Sequence, residues 1–189
     1  MSLINKKNFL ADIENGSIDL NTSDLEKYST FLKENSGDIE IFQKAVYSNS
    51  GALEYANDKL KDNTDLVLNS INQWGPLALS FASQRIKDDK EIVQYAISVW
   101  INNREWHCPA LKYISYRLKQ DPEIILDVLQ CQCDIYEEIS EINEIWNSKF
   151  ADDKNFILKA ISIEESVFYY VSDRLKNDFD ILNYLNNKQ

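Results

Sequence analysis

The chain has 189 residues, 44% of them hydrophobic, and its 31 acidic side chains against 20 basic ones give a formal net charge of −11. The apolar share is enough to bury a sizeable core and argues against a disordered chain. The charge argues against a general nucleic-acid or anionic-membrane binder, since both need a basic footprint, and is compatible with a basic protein partner.

The cysteines number three, an odd count. Lys6 and Lys7 are followed by a stretch too short and too charged for a secretory signal. Both features point to free thiols in a reducing, cytoplasmic setting. The longest uncharged run, Leu66 to Gln84, contains Asn69, Asn72, Gln73, Gly75 and Pro76, so it does not read as a membrane span.

In chain order, Asn5 to Glu14 forms a first predicted helix, stopped by the turn dipeptide Asn15-Gly16. A second is capped by Ser23 or Asp24 and runs to Lys33, with Tyr28, Phe31 and Leu32 on its apolar side. This pair, within 1–35, departs from the pattern that follows. It reads as the N-terminal cap of an array, because a terminal repeat has a single neighbour.

From residue 36 the chain repeats itself. The stretch Leu53 to Asp62 returns as Leu79 to Asp88, Leu111 to Gln120 and Phe168 to Asn177, with a degraded copy at Asn143 to Asp152. One column reads Leu60, Ile86, Leu118, Phe150, Leu175, in steps of 26, 32, 32 and 25 residues. Such periods signal a repeat architecture, and this column is expected to be buried.

Each unit reads as two short helices. The first opens on Glu40, Asp65, Glu91, Glu123, Asn155 or Asp180, followed at once by Ile41, Leu66, Ile92, Ile124, Phe156 or Ile181. Four residues further on sit the mostly small Ala45, Ser70, Ala96, Val128, Ala160 and Leu185, which mark close crossing by a partner helix. Asp88 with Glu91 resembles a capping box, and Asp121 before Pro122 places an N-cap ahead of a proline at the first helical position.

The second predicted helix carries three further columns. Tyr55, Phe81, Tyr113, Ile145 and Tyr170 are large and apolar. Asn57, Ser83, Ser115, Asn147 and Ser172 are small and polar, suited to bonding within a helix or bridging adjacent ones. Lys59, Arg85, Arg117, Lys149 and Arg174 are basic and lie near a helix C-terminus, facing the carboxylates that open the next helix.

This pattern, an acidic-start apolar helix and then Leu-x-Tyr/Phe-Ala-Asn/Ser-x-x-Leu-Lys-Asp, resembles a tandem short helical repeat family catalogued as domain of unknown function 4116. Residues 38–100 carry the resemblance best, 111–130 and 152–185 less well, and 1–35 not at all. The resemblance implies tandem helical units and brings no catalytic residue with it.

Three places carry candidate chemistry. The enlarged third unit inserts 101–109, with Arg104, Trp106 and His107; Trp and Arg are typical interface anchors, and insertions in arrays mark a binding face. His107, Cys108, Cys131 and Cys133 form a valid zinc complement, although His107 and Cys108 are adjacent where ligand pairs normally need a spacer. The predicted helix Asp134 to Phe150 has an acidic side, Asp134, Glu137, Glu138, Glu141 and Glu144, opposite Ile135, Ile139, Ile142 and Trp146. The glycines are isolated, so no phosphate-cradling loop is expected.

The expected fold is all-α: tandem helical hairpins in a short α-solenoid-like single domain over 1–189. Within it, 1–35 and 177–189 cap the repeats of 36–176. The expected function is non-catalytic protein binding through 101–109 and 134–144, with no cofactor or metal, no nucleic acid and no membrane. Two alternatives stand beside it: an acidic inhibitor or immunity-type protein neutralising a basic partner, and a zinc- or thiol-dependent enzyme using His107 and the cysteines.

Overall fold

The computed structural model describes residues 4–20, 23–103, 110–131 and 135–188. All regular structure among the described residues is helical. Two compact units divide the chain, Met1–Val99 and Trp100–Gln189.

The long helices start where an Asn or Asp side chain can accept a first-turn backbone N–H. Asn5 caps α1 (Lys6–Glu14), Asp38 caps α3 (Ile39–Ser48) and Asn63 caps α5 (Thr64–Trp74). Asp89 caps α7 (Lys90–Asn103), accepting from Glu91 and Ile92 at 3.1 and 3.2 Å. Asp121, Asp153 and Asp178 do the same for α9 (Pro122–Gln130), α12 (Lys154–Ile163) and α14 (Phe179–Lys188). By contrast, α2 (Asp24–Glu34) opens without a side-chain cap bond, at Ser23. Asp88 is therefore not the expected cap; it closes the preceding short helix, and its neighbour caps α7. Gly16, at φ 75°, supplies the left-handed residue after α1 that a side chain would resist.

The fourth position lies in the core in α1, α3, α5, α7, α9 and α12. Phe9, Phe42, Val67, Val93, Ile125 and Ile157 are all at most 2% exposed, whereas the equivalent Leu182 of α14 is 40% exposed.

The second halves of the units differ from expectation. Each divides instead of forming one helix. A 3-10 segment (Ser50–Tyr55) precedes α4 (Asp58–Lys61), and another (Gly75–Phe81) precedes α6 (Gln84–Lys87). Near the C-terminus, Glu165–Tyr170 precedes α13 (Asp173–Lys176). The chain is extended at Ala56, Ala82 and Val171, with ψ of 152°, 164° and 150°. That break frees the next side chain to cap: Asn57 accepts from Leu60, Ser83 from Ile86, Ser172 from Leu175, at 3.0 to 3.3 Å. Asn and Ser compete with the backbone inside a helix and satisfy it at a start. The third unit has α8 (Ala110–Tyr113) and a short 3-10 turn (Leu118–Gln120), with the Leu118 N–H donating to Ser115 Oγ.

The column Leu60, Ile86, Leu118, Phe150 and Leu175 is buried throughout, at most 4% exposed. The Tyr55 column is only half-buried except at Ile145; Ala56, Ala82, Ile114, Trp146 and Val171, one place on, are the buried ones.

The fourth unit breaks the pattern. α10 (Ile135–Glu141) ends at Ile142, whose φ of −123° and ψ of 23° leave the helix. Then follow α11 (Asn143–Ile145) and a π-helical turn (Trp146–Phe150) closed by Ala151 N–H onto Trp146 O at 2.8 Å. Trp146 stands where three other units have Ala or Val. Its ring is 1% exposed, packs on Phe150 and Phe156, and donates its indole N–H to Tyr170 O at 2.8 Å. No extended residue precedes Asn147, which instead donates to Asn143 Oδ1 at 2.8 Å.

No helix among the described residues is long and apolar enough to cross a membrane.

Candidate functional site

The repeated polar residues make joints between successive helices. Asp62, at the end of α4, receives the Ser83 hydroxyl and Arg85 Nε at 2.9 Å, while the same guanidinium reaches Asp62 O at 2.7 Å and Thr64 Oγ1 at 3.2 Å. Asp152 receives the Ser172 hydroxyl and Arg174 in the same manner, with Nε at 2.9 Å and the second nitrogen on Asp152 O at 2.8 Å. Backbone bonds run alongside: Ser83 N–H to Lys61 O at 3.0 Å, Ser172 N–H to Ala151 O at 2.8 Å, Asn57 N–H to Ser36 O at 2.9 Å. Except at Asn147, the small polar column is thus made of caps, and two of its serines share an aspartate with the basic column. Arg85 reaches back to Asp62, which closes α4, and Arg174 to Asp152, just past the π-helical turn, not to the residue opening the next long helix.

A second joint ties long-helix starts together. Lys6, first residue of α1, contacts Asp38 at 2.7 Å and Glu40 at 2.8 Å. Lys154, first residue of α12, contacts Asp178 at 2.8 Å and Asp180 at 2.6 Å. The Ser83 hydrogen bond, then Arg85, hold Asp62 below the usual carboxylate value, and Ser172 with Arg174 do so for Asp152. Lys6 depresses Asp38 and Lys154 depresses Asp178; the lysines are raised in return.

The acidic stretch at 134–144 is only partly one surface. Glu141 and Glu144 are exposed, and Tyr136 on the same stretch is 67% exposed. Glu138 is 3% exposed, which corrects its place on a solvated acidic side. The next residue of α10, Ile139, and Ile142 four positions on are buried as well, so Glu138 lies among core residues. The break at Ile142 also ends the single helix expected from Asp134 to Phe150. Arg104, Trp106, His107, Cys108, Cys133 and Asp134 lie outside the described residues, as does the side chain of Glu137. Cys131 is half-buried and its Sγ lies 3.6 Å from Asp127 O. Among the described residues no group of three or more His, Cys, Asp and Glu could hold a metal.

Sequence reading overlooked Asp62 and Asp152 as acceptors. The available signal was an Asp followed 20 or 21 residues later by Ser-x-Arg. It also overlooked Tyr136, which has the same exposed character as Tyr47, Tyr116 and Tyr169.

The α12–α14 segment brings all these devices together: capping Asp153, the 3-10 turn, capping Ser172, the Arg174 clamp and the second cap Asp178. Residues 153–184 match the family model described as a domain of unknown function, DUF4116. The DUF4116 match falls on the last repeat, where the sequence pattern had ranked 38–100 first. The same local plan recurs from Asn63 to Asp89, with Ser83 and Arg85 in the places of Ser172 and Arg174. No curated protein and no solved structure matches the chain.

Proposed function

We propose that the chain is a non-catalytic, α-solenoid-like helical-repeat module that docks a basic protein partner in a cytoplasmic setting. Arg104, Trp106 and His107 of the 101–109 insertion would serve as anchors, with Glu141 and Glu144 attracting the partner. Glu138, being buried, is left out. The observation that carries this reading is an exposed tyrosine, Tyr136, on the same stretch as the exposed carboxylates Glu141 and Glu144. Aromatic rings supply interface area at low entropic cost, and carboxylates steer a cationic partner. Support for a non-catalytic role comes from the polar columns, whose serines, arginines and depressed aspartates serve joints within the fold.

A photo-crosslinking residue in place of Tyr136 tests it in the native host. The expected adduct is a basic protein, lost when Glu141→Lys and Glu144→Lys are combined. An adduct that survives the charge reversal, or none at all, rules the docking surface out.

A further inference from the structure

The short helices and three of the long ones end differently. Short α4, α6 and α13 carry Lys or Arg in the last turn: Lys59 and Lys61, Arg85 and Lys87, Arg174 and Lys176. Long α1, α3 and α5 carry no basic residue there. These three are parallel neighbours within one unit. Lys6 joins the starts of α1 and α3, and their last turns, with that of α5, converge on one cleft of about 360 Å³. Ile13 of α1, Tyr47 and Ser48 of α3, and Gln73 and Trp74 of α5 line it. Tyr47 is 69% exposed and Trp74 is half-buried. Lys44, one turn back on α3, is already paired with Glu14 at 2.7 Å, so this flank carries no net charge.

We infer that this cleft receives an arginine side chain from a basic partner segment, a step that rests on the docking reading above. Each helix C-terminus presents roughly half a negative charge through its terminal carbonyls. Here three such ends meet without a basic residue in their last turns, and Lys44, one turn back on α3, is paired with Glu14. Tyr and Trp faces add the negative side of their ring quadrupoles. Among cations, guanidinium fits best: it stacks flat on an aromatic face while its planar fork donates to carbonyls, whereas an ammonium is more strongly hydrated. The Gln73 amide oxygen is a further acceptor in the lining.

The test titrates the full chain with blocked hexa-arginine and hexa-lysine peptides. It is run at about 0.15 M salt, where diffuse attraction is screened beyond roughly 8 Å. Binding is followed by backbone amide and indole nuclear magnetic resonance. Shifts should centre on Ile13, Tyr47, Ser48, Gln73 and the Trp74 indole, with arginine bound more tightly than lysine. Tyr47→Ala should weaken binding about fivefold and Tyr47→Phe less than about twofold, as a ring-face contact requires. Ser48→Arg, which places a cation in the cleft, should compete with the peptide. Because Tyr47 is exposed, its truncation leaves the fold intact, and circular dichroism checks this. Unchanged affinity in Tyr47→Ala overturns the cleft. If the shifts then fall on Tyr136, Glu141 and Glu144, the docking reading survives without it. No binding of either peptide also overturns the cleft, and the Tyr136 crosslink then decides the docking reading by itself.

Discussion

Single side chains show how tightly the repeat constrains its members. Ser70 occupies the position that is Ala45, Ala96 and Ala160 elsewhere, and it is fully buried. Its hydroxyl has no hydrogen-bond partner among the described residues. A buried hydroxyl left unmatched costs about 1 kcal/mol or more. Ser70→Ala should therefore raise the urea midpoint, by about 1 kcal/mol of stability. A lower midpoint would mean that the hydroxyl is satisfied. The small-residue column was legible from spacing alone; the orphaned hydroxyl was not, since it depends on what surrounds it.

Glu138 teaches the opposite lesson at the same scale. Its charge placed it with Glu141 and Glu144, but it is buried like Ile139, the next residue, and Ile142, four positions on. Where charge and register conflict, packing of the neighbouring isoleucines decided.

At the scale of elements, the caps separate true repeat boundaries from the eroded one. Ser83 and Ser172 each accept from the third backbone N–H beyond them and also donate to an aspartate one unit back. Ser83→Ala and Ser172→Ala should each cost about 1 kcal/mol, read from urea denaturation. Asn147, in the same column, caps nothing because Trp146 keeps the chain helical through that point. Asn147→Ala should be close to neutral; a loss equal to that of Ser83→Ala would put a cap where the π-helical turn lies.

The ion-paired joints give the elements a pH signature. Asp38, Asp62, Asp152 and Asp178 are all lowered from 3.8 in the folded chain. The folded state thus binds fewer protons at these sites than the unfolded chain. Their stabilisation is complete above 3.8 and is lost as the pH falls below it, through the lowered values. Lys6 and Lys154 are raised from 10.5, so their contribution is complete below 10.5 and disappears as the pH climbs above it. Through these joints, thermal stability should fall as the pH drops below 3.8 and as it climbs above 10.5. Asp62→Asn with Asp152→Asn should flatten the acid limb, and an unaltered acid limb would show that these joints do not couple to folding.

For the whole molecule, the column Leu60, Ile86, Leu118, Phe150, Leu175 is the deepest feature that the period predicted. Ile86 is 0% exposed, and Ile86→Ala should cost about 2–5 kcal/mol, since a buried side chain is lost and a cavity remains. Leu175→Ala, also at 0% exposure, should behave alike in the second unit. Unchanged urea midpoints would refute the register.

The sequence by itself determined the all-helical class, the positions where long helices begin, the buried column, and the resemblance that the DUF4116 match bears out at 153–184. These follow from local rules: periodicity, capping preference and the spacing of apolar residues. Tertiary structure alone decided that Ala56, Ala82 and Val171 are extended, splitting each predicted second helix. It also decided that Arg85 and Arg174 reach backward, that Glu138 faces inward, and that α1, α3 and α5 end on one cleft. The backward clamps, the extended breaks and the cleft depend on partners 20 or more residues away, and a local pattern fixes which residues are available to pair without fixing which of them meet.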